Sequence, residues 1–181
     1  MRRLLLASSL WALTFTAAAQ QPDWNMDGAQ EINTSITTLP VADQQGIHRA
    51  LAKRSANPHD VPASSELRAT QIRTPSGHLF LVQALGNNFC GASGNCSFWV
   101  LSSDYNILLD TIAQMFKVQK SQHSVHPDIV TSMHDSASSG DLRQWRFTGP
   151  RYKPVACATY NYTNASGDTL TTPTLTPHPC S

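Results

Sequence analysis

Apolar positions fall into two regimes along this chain, one helical and one extended. Between Val41 and Arg54, the residues Ile47, Ala50, Leu51 and Arg54 stand at i, i+3, i+4 and i+7, and His48, Arg49 and Lys53 lie off that stripe. This spacing predicts one amphipathic helix. Pro40 suits its first turn, and Asn57-Pro58 and Pro62 end it. Gly46 weakens it by about 1 kcal/mol relative to alanine. So short a helix is marginal alone, so it is expected to pack on a sheet.

From Leu67 the period changes to two. Leu67–Thr74 and His78–Leu85 flank Pro75-Ser76-Gly77 and read as a hairpin. Leu79 to Val82 is apolar on both faces, as in a central strand. Further strands are expected at Cys96–Leu101, Asn106–Leu109, Ile112–Lys120, Asp128–His134, Leu142–Phe147 and Arg151–Tyr162, the last interrupted by Pro154. Within Ile112–Lys120, Ile112, Gln114, Phe116 and Val118 alternate with Ala113, Met115 and Lys117.

Six to eight strands after one helix, without βαβ alternation, predict a mostly β (α+β) fold. One N-terminal helix would pack on an antiparallel sheet folded as a sandwich or small barrel. The expected organisation is a polar leader over 20–40, a single disulfide-stapled globular domain over 41–162, and a Thr/Pro-rich tail over 163–181 with no helix or regular sheet.

The first nineteen residues set the compartment. Arg2 and Arg3 precede an apolar run from Leu4 to Thr16, and Ala17-Ala18-Ala19 gives a signal peptidase its small residues. Residues 1–19 read as an export signal cleaved before Gln20. The run is shorter than the ~20 residues that span a bilayer. Cleavage leaves 162 of 181 residues and lowers Lys plus Arg from 13 to 11 against 12 Asp plus Glu, a net charge of −1 with His neutral. That balance argues against nucleic acid, which would want a basic stripe, and against an anionic membrane surface. The expected location is periplasmic or secreted, with no membrane span after signal removal.

Cys90, Cys96, Cys157 and Cys180 remain, an even count that reads as two disulfides in an exported chain. Of three pairings, Cys90–Cys96 with Cys157–Cys180 is preferred, because Gly91, Gly94 and Asn95 allow a tight loop. A four-thiolate zinc site lacks its C-x-x-C pair.

The stretch Cys90-Gly-Ala-Ser-Gly-Asn-Cys96, running into Ser-Phe-Trp-Val-Leu101, resembles a block found in a group of uncharacterised exported bacterial proteins with a C-G-A-x-G-N-C signature. The likeness continues through Pro127–Asp135 and Asp141–Gly149 and covers about half of the mature chain. It implies export and brings no activity with it.

Candidate chemistry is sparse. Asp23-Trp-Asn-Met-Asp-Gly28 matches the opening of a calcium loop, but Thr34 stands where a bidentate carboxylate belongs. His123, His126 and His134, with Asp128 and Asp135 nearby, have the donor types of a zinc or copper site. Gly91 to Asn95 has the wrong order for a nucleophile elbow. No catalytic set or cofactor motif emerges. Ser93 and Asn95, at the tip of the bridged loop, are the candidate binding residues. The sequence thus reads as an exported, non-enzymatic binding or inhibitor-like module for a protein, glycan or envelope ligand. Its alternative is a metal-dependent hydrolase built on the three histidines.

Overall fold

The computed structural model describes residues 22, 24–57 and 60–180. The export signal, and Asp23 of the calcium-like motif, lie outside the described residues. The helix α1 spans Val41–Arg54, and nine strands follow: β1 Leu67–Thr74, β2 Gly77–Ala84, β3 Cys96–Ser102, β4 Ile107–Ala113, β5 Met115–Gln119, β6 Asp128–His134, β7 Ser139–Phe147, β8 Tyr152–Thr163 and β9 Thr169–His178. They form two antiparallel sheets, β1-β2-β3-β4 and β5-β6-β7-β8-β9.

The molecule is a three-layer sandwich, because β2 and β3 are apolar on both faces. Leu79, Leu81, Phe98 and Val100 pack on Phe116, Ile129, Trp145 and Tyr152 of the second sheet. Phe80, Val82, Trp99 and Leu101 point the other way, toward Ile47 and Leu51 of α1. Each fully buried side chain of this kind contributes roughly 1.5–3 kcal/mol. The expected mostly β fold is the observed one, and it is a sandwich rather than a barrel.

Two expectations are overturned. The run Ile112–Lys120 is not one strand. β4 ends at Ala113 in the first sheet and β5 begins at Met115 in the second. At the joint, Gln114 N donates to Ser132 O (2.9 Å) and Gln83 Nε2 donates to Ala113 O (3.0 Å). The joint shifts the phase, so Ile112 is 50% exposed while Phe116 is 5% exposed. The second correction concerns residues 163–181. They are not a tail without sheet, since β9 pairs with β8 from Thr163↔Thr169 to Cys157↔His178. Threonine favours extended backbone, and an edge strand tolerates Pro173 and Pro177. The leader also belongs to the fold. Ile32 and Ile36 are buried, Gln30 bridges to Phe116 in β5, and Ser35 bridges to Arg68 in β1. The folded unit is therefore wider than 41–162 at both ends.

Both disulfides form in the preferred pairing, Cys90–Cys96 and Cys157–Cys180. Among the described residues there is no helix long and apolar enough to cross a membrane.

Gly46 proves to be a packing requirement. Tyr105, at φ 60°, turns the β3–β4 hairpin. Its ring stacks on Phe80 at 5.7 Å and its hydroxyl donates to Asp43 (2.7 Å). A Cβ on Gly46 would lie 2.4 Å from that ring. Gly46→Ala is therefore expected to destabilise by about 1–2 kcal/mol despite its better helix propensity. In a Tyr105→Ala background the same change should stabilise. Urea midpoints of the four proteins test this, and a stabilising Gly46→Ala in the parent would refute it.

Candidate functional site

The first site residue to place is Asn95. The Cys90–Cys96 bridge closes a short loop in which Gly94 takes a positive φ of 80°. That turn aims the Asn95 amide at the end of β6. Asn95 Nδ2 donates to His134 O (2.7 Å), and His134 N donates to Asn95 Oδ1 (2.8 Å). The amide thus acts like one residue of an added strand. Nδ2 also donates to Ser93 Oγ (2.8 Å). Asn95 holds the loop to the second sheet, its amide bonded within the fold at both ends, and the exposed Ser93 is tied to it within the loop.

His134 lines a cavity of about 650 Å³ on the face of the second sheet that turns away from the first. Its floor is Ser132 and Leu142, which are register partners on β6 and β7. Tyr160 and Tyr162 of β8 stand at one side, two residues apart and therefore on one face. Thr171 to Leu175 of β9, without Thr174, form the next wall, and Trp24 to Asp27 of the leader the opposite one. Lys117 Nζ donates to Asn25 O and ties that leader segment to β5.

Tyr160 is the centrepiece. Gly140 lies beside it in register, and its missing side chain leaves room for the phenol ring. The Tyr160 hydroxyl donates across Gly140 to Met133 O (3.4 Å). The rings of His134 and Tyr162 each approach Tyr160 at 6.0 Å with edge-type geometry. Burial, chiefly, pushes the Tyr160 hydroxyl up to about 12, so at neutral pH it is an uncharged group.

Asp27 and His134 are the ionisable lining groups other than the two tyrosines. Among the described residues, no hydrogen bond links a lining hydroxyl to either of them.

The three histidines do not converge. His134 closes β6. His126 precedes its start, with its ring edge-on to Phe147 at 4.3 Å. Strand β6 alone sets its two ends about 20 Å apart, whereas ligands to one zinc lie about 2 Å from it. His123 is exposed in the preceding loop, its backbone N bonded to Ser121 Oγ (3.2 Å). Among the described residues, no three His, Cys, Asp or Glu side chains are grouped to hold a metal ion. In the calcium-like motif, Asn25 Oδ1 accepts from Asp27 N (2.6 Å) and serves a turn.

Trp24 and Tyr162 are the site residues that sequence reasoning missed, and Tyr160 reads from sequence as one of several aromatics used for core packing. The i, i+2 spacing of the two tyrosines was the available signal, but the leader's return over the second sheet has no signature in sequence. Compared with known proteins, the chain matches no family model, no curated protein and no solved structure.

Proposed function

We propose that this protein is a non-enzymatic binding module of an oxidising compartment, periplasmic or secreted, and that the pocket under Tyr160 takes a neutral glycan. One observation carries the reading: both disulfides brace walls of the same pocket. Cys90–Cys96 holds Asn95 against His134, and Cys157–Cys180 holds β9 along β8. Cross-linked walls are pre-organised, which lowers the entropy lost on binding. A volume of about 650 Å³ suits a small ligand. Exposed faces of Tyr162 and Trp24 offer stacking surfaces for pyranose C–H groups. Asn25, Asp27, Ser132, Thr171 and Thr172 offer hydroxyl partners. Nothing in the lining favours a strongly charged ligand. The inward turn of Asn95 argues against an inhibitor that works through the bridged loop.

The test is calorimetry of the oxidised protein against soluble neutral oligosaccharides, such as gluco- and chito-oligosaccharides. Trp24→Ala and Tyr162→Ala should each weaken binding about five- to tenfold, the worth of one aromatic contact. Binding that ignores both substitutions, or is absent for every glycan, would refute the reading.

A further inference from the structure

The four sheet edges are unequally protected. Along β1, Ala69 N donates to Thr34 O of the leader (2.9 Å). Along β5, Gln30 and Phe116 exchange two backbone bonds (2.8 and 3.0 Å). Edge strand β9 carries Pro173 and Pro177. Strand β4 has none of these guards. It contains neither proline nor lysine, and among the described residues no backbone group from Ile107 to Asp110 finds a backbone partner beyond β3. Exposed edges of this sort are templates for another strand.

The layers on either side turn this edge into a trough. A cleft of about 990 Å³ lies between α1 and the turn after β7, along Ile107 and Leu108. A second, of about 930 Å³, lies over the α1-side face of β3 and β4, between Asp110, Ile112 and Trp99 and the loop at Asn88 and Phe89. Arg54 and Asp110 line both clefts, and their ion pair separates them. The indole Nε1–H of Trp99 is buried with no acceptor among the described residues. The first cleft is cationic. With Arg54 and Asp110 paired, Arg49 and Lys53 from α1 and Arg151 from the opposite bank stand against Asp104 alone. This concentration occurs in a chain whose overall charge is close to neutral. At the far end Ile112 is 50% exposed.

We propose that β4 accepts an extended acidic peptide segment from a partner protein, which adds as a fifth strand to the first sheet. Main-chain bonds to β4 supply affinity, and alternate side chains supply specificity. An Asp or Glu of the segment faces Arg49, Lys53 and Arg151, and an apolar residue covers Ile112. The trough shares no lining residue with the glycan pocket, so the two proposals stand or fall separately.

The probe is a fluorescent peptide alternating valine and glutamate, read by anisotropy on the oxidised full chain. It should bind, protect β4 amides from hydrogen exchange, and lose at least about tenfold in Kd on Arg49→Glu with Arg151→Glu. Replacing its glutamates with lysine, or alternate residues with proline, should abolish binding. Both substituted arginines are exposed, so the variant folds and its glycan affinity serves as a control. Equal binding of acidic and basic peptides, or no binding, overturns the proposal. So does sedimentation showing that β4 instead pairs with β4 of a second copy.

Discussion

Replacing Gly140 with alanine is expected to destabilise the protein by about 3 kcal/mol, the upper part of the range for forced overpacking. The reason is space, since Gly140 sits in ordinary strand backbone. A Cβ there would lie 1.9 Å from Met133 O and 2.6 Å from the Tyr160 hydroxyl. The first contact is with backbone of β6, so no rotamer change relieves it. Strand β7 is also central, held by β6 on one side and β8 on the other. The strand must shift, or Tyr160 must leave its place above the glycine. Either motion opens the pocket, so glycan affinity should fall with stability. Adding Tyr160→Phe removes the hydroxyl contact but not the carbonyl one, and should recover only part of the loss. Denaturant midpoints of the single and double variants are the measurement. An unchanged midpoint for Gly140→Ala would mean that the β6–β7–β8 register is wrong.

Cys157→Ser with Cys180→Ser is the other large effect. The bridge spans 23 residues, and a loop of that length is worth about 3 kcal/mol through the unfolded chain. The bridge spanning 6 residues at Cys90–Cys96 should be worth about 2 kcal/mol. The longer one also has a local role. Strand β9 is an edge strand with two prolines and no fully buried side chain, so the backbone ladder and the disulfide are what hold it to β8. Without the bridge, amides of Thr159 and Asn161, which face β9, should lose hydrogen-exchange protection before the core does, and the pocket should lose its β9 wall. The expected pattern is a large drop in the thermal midpoint together with loss of ligand binding. A double variant that keeps the oxidised protein's stability and affinity would remove the structural basis of the binding site.

Local signals explain what was legible in the chain. The period of α1, the Pro75-Ser76-Gly77 turn and the extended run Asp128–His134 are each encoded within a few residues, and the structure has them where the pattern places them. Cysteine pairing was legible because the glycines of the Cys90–Cys96 loop permit a tight closure. The joint at Gln114 was not legible, because alternation reports which residues face apart but not which sheet they join. Strand β9 was hidden by its prolines, which are forbidden in a central strand yet tolerated at an edge. The histidines misled for a related reason. Eight positions separate His126 from His134 in sequence, and an extended strand converts most of that separation into distance. The pocket was least legible, since Trp24, His134, Tyr160 and Thr171 meet only through strand register and the return of the leader.

The leader has a consequence for solubility. One short stretch of backbone touches β5 through Gln30 and β1 through Thr34 and Ser35, so it belongs to both sheets. Proteolytic trimming past Ser35 would bare two pairing edges in a single cut, and the clipped protein would become a seed for fibrils.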